Sequence, residues 1–275
     1  MINWIQGEKF KGVADFIYAP KDKLPGDYDN LVNTFDTALL GDIQIVYTHS
    51  MYVQQLFDVI GSLTQRFVVV THNSDMNIDN RFSCPPNVIK WFSQNINVIH
   101  EKIESIPIGL ENDMWFPQVN KKEKMLAYME SPKLKRKLVY MNHNVGTNPA
   151  KRSKPYDVLE KERWVTTVRG ENGRGFDDYI QNIYYHPFVI CPEGNGIDTH
   201  RIWEVLYMNS IPITESNINT GFYKELPILR VNKWEDVTED FLYMWWRDVY
   251  SKTKWNMNLL DFGYWKDKIT NSRIV

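Results

Sequence analysis

Residues 188–213 read FVICPEGNGIDTHRIWEVLYMNSIPI. An apolar run ends in a proline and a glycine loop, and Arg and Glu then enter a segment of helical spacing. Taken as strand (FVICP), exit loop (EGNG) and helix (DTHRIWEVLYM), the stretch has the parts of an anion site. Asp198 and Thr199 are good N-cap types. Gly194 and Gly196 allow positive φ and a close approach of backbone to a ligand. Behind such a loop, the first helical N–H groups and the positive end of the helix dipole bind a phosphate. Arg201 and Glu204 lie three apart and share a face, while Ile202, Val205 and Leu206 take the core side. Arg201 stands one turn from the phosphate position, where a guanidinium neutralises negative charge. Glu204 is suited to accept hydrogen bonds from two neighbouring hydroxyls of a ribose. The alternative that spacing leaves open is a surface pair between Arg201 and Glu204, an arrangement worth little. Asn209 tolerates the left-handed position that closes a helix, and a new strand starts at Ile211.

The elements that must position these residues have an α/β rhythm. Apolar runs at 14–19 (ADFIYA), 43–49 (IQIVYTH), 66–72 (RFVVVTH) and 103–109 (IESIPIG) read as strands. Segment 51–63 repeats its apolar residues at three- and four-residue steps and predicts a helix. PPNVIKWFSQN (85–95) reads as a shorter helix opened by proline. The polar stretch 120–137 reads as a linker or exposed helix, with Lys133, Lys135, Arg136 and Lys137 on a solvated face. Strands are then expected at 138–142, 164–168, 188–192, 211–214 and 227–231. Helices are expected at 154–162, 176–185 and 199–208, and 240–269 is mostly helical. Strand–helix–strand alternation indicates βαβ units and parallel sheets. The division expected is 1–122, 123–250 and a helical segment 251–275 packing back on the first part. A ligand is expected in the cleft between two such halves.

Composition narrows the function classes. The chain has 275 residues, 43 % of them hydrophobic, enough for a packed core. A net charge of −2 makes no case for nucleic acid or an acidic membrane. No apolar run approaches the roughly 18 residues of a membrane span, and MINWIQGEKF does not read as a signal peptide. The two cysteines, Cys84 and Cys191, suggest neither a disulfide framework nor a metal site. A soluble, cytoplasmic protein is the expectation. Ten Trp and fifteen Tyr fill core or line a sugar-binding surface.

The string at 188–213 resembles the C-terminal signature of exostosin-like (GT47-like) glycosyltransferases. LVYMNHNVGTNPAKR (138–152) is similar to the family's first C-domain strand and the Asn/Thr-rich loop leading to an Arg. PPNVIKWFSQN and SIPIGLEN (105–112) resemble its N-terminal half more weakly. The resemblance implies a GT-B fold: two Rossmann-like domains with parallel sheets facing an interdomain cleft. The acceptor would bind 1–122 and a nucleotide-diphosphate sugar 123–250. Asn209 stands where related chains often carry glycine, and the chain is short for the fold.

On that resemblance Arg201 faces the diphosphate and Glu204 the ribose, with Arg152 a second diphosphate cation. Asn144 and Thr147 lie in the loop facing the donor, and Arg169 and Gly170 come after a strand whose loop touches the base. A base for the acceptor hydroxyl is expected at a strand end in the first half, ranked Asp75, His72, His49. The D-x-D string Asp27-Tyr28-Asp29 sits in a Pro/Gly-bounded loop and reads as a chance match. A helix N-terminus plus Arg does the work of Mn²⁺ instead, so no metal or other cofactor is expected. Glu193 and Glu204 have no second glutamate eight positions on, which favours inversion. The expected partners are a nucleotide sugar, UDP-linked and with xylose first among several sugars, and a glycan acceptor. The alternatives are a non-catalytic sugar- or nucleotide-binding protein and a sugar-nucleotide epimerase.

Overall fold

The computed structural model describes residues 2–20, 31–115, 120–132, 137–169 and 175–274. In chain order the elements are α1 (Gly7–Lys11), β1 (Phe16–Ile17), β2 (Ile43–His49), α2 (Val53–Ile60), β3 (Arg66–His72), β4 (Val88–Ser93) and β5 (Ile103–Ser105). They continue with α3 (Lys121–Met129), β6 (Val139–Met141), α4 (Pro149–Leu159), β7 (Val165–Thr167), α5 (Phe176–Tyr185), β8 (Phe188–Ile190) and α6 (His200–Tyr207). The last are β9 (Ile211–Glu215), α7 (Ile218–Gly221), β10 (Leu229–Val231), α8 (Glu239–Trp245) and α9 (Phe262–Asn271). The chain forms two compact units. The first is Met1–Glu111 with Gly196–Asp198 and Asp261–Val275, and the second is Asn112–Asn195 with Thr199–Leu260.

The first unit is built on a five-stranded sheet in the order β1-β2-β3-β4-β5, each neighbouring pair parallel. Val68, Val69 and Val70 are fully buried, the continuous apolar run expected of a parallel strand covered on both faces. Helix α2 turns Val53, Leu56, Phe57 and Ile60 inward, and Phe57 meets Trp91 edge-on at 5.0 Å. The Trp91 indole N–H donates to Thr71 Oγ1 (2.8 Å), which donates to Ser93 Oγ (2.6 Å), so the buried polar atoms satisfy one another. Strand order matches sequence order, so the described strands of this sheet contain no reversal.

Segment 85–95, expected as a helix, instead carries strand β4, between β3 and β5. Pro85 and Pro86 precede a run of β-branched and aromatic residues, VIKWFS. A six-residue apolar run has too little length for periodicity to separate strand from helix.

The second unit's sheet has the order β10-β9-β8-β6-β7, again all parallel. Val139, Met141, Phe188, Ile190, Ile211 and Ile213 form its buried centre. The chain runs from β6 to β7 on one side, then returns across β6 to lay down β8 on the other. That reversal leaves a crevice beyond the carboxyl ends of β6 and β8, where open α/β sheets bind ligands. Helix α6 ends as its sequence predicts. Asn209 lies at φ 55°, its N–H donates to Leu206 O and that of Ser210 to Val205 O, each at 3.0 Å. This pair of bonds is a Schellman closure.

Candidate functional site

The β6/β8 crevice of the second unit is lined by two strand-exit loops, Asn142–Thr147 from β6 and Cys191–Asn195 from β8. Helix α4 stitches the two loops together. Arg152 donates from Nε to Glu193 O (2.8 Å) and from Nη1 to Asn144 O (3.0 Å), and Asn148 Nδ2 donates to Gly194 O (2.7 Å). Asn144 Oδ1 accepts from Gly146 N–H at 2.8 Å, fixing the turn. Asn144 and Thr147 are exposed. Three of the expected binding residues, Arg152, Asn144 and Gly194, thus meet in one hydrogen-bonded cluster.

Arg201 projects from the first turn of α6. Its Nη1 donates to Asn142 Oδ1 at 2.9 Å, and its Nη2 reaches Asn142 O at 3.5 Å. The guanidinium lies over the Tyr179 ring, 4.9 Å from its centroid. The Tyr179 hydroxyl donates to Glu204 Oε2 at 2.6 Å. Arg201 and Glu204 therefore share a helix face but make no ion pair. Tyr179 stands between them, touching one through its ring and the other through its hydroxyl. Neither Arg201 nor Arg152 has an ion pair among the described residues. The Glu193 carboxylate, in the loop after β8, is bonded by Asn217 Nδ2 (2.8 Å) and approached by Lys151 Nζ (3.6 Å).

The electrostatics of the crevice are read most plainly at His143, the residue after Asn142. Burial pushes its pKa down to about 3, and the charges of Arg201, Arg152 and Arg169 push in the same direction. His143 is thus a neutral imidazole that donates from Nε2 to Arg152 O at 2.8 Å, and its buried Nδ1 has no partner among the described residues. Burial and the Arg201 charge likewise lower the pKa of Arg152, although a guanidinium stays charged at any ordinary pH. Against the opposing effect of burial, the Glu204 charge acts on Arg201 and raises its pKa, but neither guanidinium is ion-paired among the described residues, and where their fields overlap an anion relieves repulsion. The Cys191 thiol, pushed up to about 12 by burial, is inert.

Other predicted positions behave differently. Gly194 and Gly196 do not adopt positive φ; Gly109, at 68°, is the positive-φ glycine of the described residues. Gly196 is required for space: a Cβ there would stand 2.7 Å from Asn95 Nδ2. With Asp198, Gly196 groups with the first unit, where the Asp198 N–H donates to Asn95 Oδ1 (2.8 Å) and its Oδ2 accepts from Ile108 N–H (2.9 Å). Asp198 is therefore not the helix cap. Thr199 takes the N-cap position without a side-chain cap bond, and its buried Oγ1 has no partner among the described residues. Arg169 is exposed, ion-paired to Glu160 (2.5 Å) and stacked over Tyr156 at 4.4 Å. Gly170, Asp27–Asp29, Lys133, Lys135 and Arg136 lie outside the described residues.

The base candidates belong to the first unit. His49 and His72 are register partners at the ends of β2 and β3. His72 is buried, donating from Nε2 to Pro107 O (3.1 Å) and accepting at Nδ1 from Asn73 N–H (2.8 Å). His49 Nδ1 accepts from Met51 N–H (3.3 Å). Asp75 is exposed, in the loop after β3. Sequence reasoning missed Asn142, His143, Asn148 and Tyr179. The signal for the first two was position, since polar residues directly after a strand line the crevice. Tyr179 gave none, because an aromatic in an amphipathic helix reads as core. Neither the models of known protein families nor the curated proteins contain a match to this chain.

Proposed function

We propose that the protein is a glycosyltransferase of the exostosin-like, GT-B type, transferring a sugar from a nucleotide diphosphate to a glycan hydroxyl. The observation that carries this reading is the pair Arg152 and Arg201 at the β6/β8 crevice, which make no ion pair among the described residues and whose charges act on one another. A diphosphate fits the chemistry: it carries enough negative charge for two guanidinium groups and enough oxygens for their planar donor forks. Glu204, oriented by Tyr179, is the acceptor for a ribose hydroxyl pair.

In the transfer, the acceptor oxygen attacks C1 of the sugar. The bond from C1 to the diphosphate oxygen breaks, and its electron pair leaves with the diphosphate. Arg152 and Arg201 stabilise that growing charge, as fixed donors do in oxyanion sites. The acceptor proton passes to a base, for which Asp75 ranks first. It is an exposed carboxylate, whereas the ring nitrogens of His72 are engaged. A single displacement of this kind inverts the configuration at C1.

The test is a screen of UDP- and GDP-linked sugars with mixed glycan acceptors, monitoring release of the nucleoside diphosphate. Acceptor-dependent release, unaffected by chelator, supports the reading. Release without acceptor points to epimerisation or hydrolysis, and binding without release points to a non-catalytic protein. Release that stops with chelator and returns with Mn²⁺ removes the metal-independent part of the proposal.

A further inference from the structure

A second set of polar side chains stands at the carboxyl ends of β8 and β9, neighbouring strands of the second unit's sheet. Glu193 follows β8, Glu215 closes β9, and Lys151 reaches both from α4. Its Nζ lies 3.6 Å from Glu193 Oε2 and 3.9 Å from Glu215 Oε2. Those separations suit attraction between charges but exceed hydrogen-bond length. Among the described residues the Lys151 ammonium, Glu193 Oε2 and the Glu215 carboxylate make no hydrogen bond. All three residues are half-buried. Glu193 is held by its other oxygen: Asn217 Nδ2 donates to Oε1 (2.8 Å), and Asn217 Oδ1 accepts from Thr220 N–H (2.7 Å). Arg230, on the adjacent strand β10, donates to Thr220 O (3.0 Å) and pairs with neither carboxylate among the described residues. The set is therefore one ammonium between two carboxylates, with a net negative charge.

Arg152 fixes where this set lies. Its guanidinium donates to Glu193 O, and Lys151 is the residue before it. Tyr179 and Glu204 stand beside Arg201 in a corresponding way. A diphosphate on the two arginines thus has a polar set beyond each end. A nucleotide sugar carries hydroxyls beyond each end of its diphosphate, on the ribose and on the transferred sugar. We propose that Lys151, Glu193 and Glu215 bind the transferred sugar through two neighbouring hydroxyls, and that this sugar is neutral and not a uronate. The inference rests on the proposed diphosphate site and adds a sugar class to it. A hydroxyl both donates and accepts, whereas an ammonium has three donors and a carboxylate only accepts. Each sugar hydroxyl accepts from Lys151 and donates to one of the two glutamates, so every bond formed is charge-assisted. A uronate carboxylate brings no donor and meets net negative charge. That repulsion discriminates against the wrong sugar.

The test titrates the full chain, wild type and Glu215→Gln, with UDP, UDP-glucose, UDP-galactose, UDP-xylose and UDP-glucuronate by calorimetry. In wild type, UDP-glucuronate should bind at least ~10-fold more weakly than the tightest neutral sugar nucleotide. Glu215→Gln keeps the shape of the side chain and removes its charge. It should weaken binding of that neutral sugar nucleotide about tenfold, the scale of one charge-assisted hydrogen bond. UDP itself should stay within about twofold of its wild-type affinity, and the discrimination against UDP-glucuronate should relax. A merely structural ion pair would instead shift UDP and the sugar nucleotides together. UDP-glucuronate binding as tightly as the neutral sugar nucleotides would overturn the proposal while the diphosphate site stands. So would a Glu215→Gln protein that loses affinity for all the ligands alike or for none. Wild-type protein that binds UDP no better than uridine would remove the diphosphate site and this sugar site with it.

Discussion

Truncating Arg201 to Ala should weaken UDP binding by at least ~100-fold while leaving the fold intact. A guanidinium has five N–H donors. Asn142 takes one at 2.9 Å and a second at the long limit of 3.5 Å, so three have no acceptor among the described residues. A charge-assisted hydrogen bond contributes about 1.5–3 kcal/mol. Two of them to the diphosphate amount to roughly 3–6 kcal/mol, less what Arg152 and water recover. The low end of that range is already more than a hundredfold in Kd. Arg201→Lys keeps the charge but loses the fork, and should fall between the two, about tenfold weaker than wild type. The cost to stability is smaller. Asn142 loses its partner, about 1 kcal/mol, and Tyr179 loses the cation over its ring, about 0.5–1 kcal/mol. Relief of repulsion with Arg152 offsets part of this. Calorimetric titration of UDP into wild type, Arg201→Ala and Arg201→Lys, with a thermal melt of each, reads both effects. A folded Arg201→Ala protein that binds UDP within about twofold of wild type would refute the reasoning.

Asp75→Asn should spare UDP affinity and slow transfer by 10²-fold or more, the usual scale for a general base; near-normal turnover would pass the role to a histidine. His143 makes stability depend on pH. Its folded pKa of about 3 lies below the 6.5 of an unperturbed histidine, so between these values the unfolded chain holds a proton that the folded one lacks. The stabilisation is complete above about pH 6.5 and is lost as pH falls towards 3, on the order of 3 kcal/mol by pH 4. Urea unfolding at pH 7 and pH 4 should show His143→Gln losing less than wild type, and equal losses would contradict the assignment. Asn209→Ala should cost about 1 kcal/mol or more, since its φ of 55° strains an L residue with a plain Cβ. Asn209→Gly should be near neutral in the same melt.

Much of the second unit was legible because its signals are local. The run FVICP had to be a strand, and Thr199, the spacing of Ile202, Val205 and Leu206, and Asn209 bounded the next helix. Segment 85–95 misled because two prolines imitate a helix start while a six-residue apolar run fits either period. Sequence spacing put Arg201 beside Glu204 but could not show Tyr179, 25 positions before Glu204, coming between them. Glycine spacing suggested positive φ at 194 and 196. The demand at Gly196 is close packing against Asn95, a contact between residues about 100 positions apart that no local pattern encodes. The crevice itself rests on strand order, and the alternation of strands and helices does not reveal where that order reverses.

Titration of wild-type protein with UDP and with uridine bears most directly on the central claim, that the two arginines at the β6/β8 crevice hold a diphosphate. The account predicts that UDP binds at least ~100-fold more tightly than uridine, a difference of about 2.7 kcal/mol, and that added salt narrows the gap. Equal affinity for both, or no affinity for either, would contradict it.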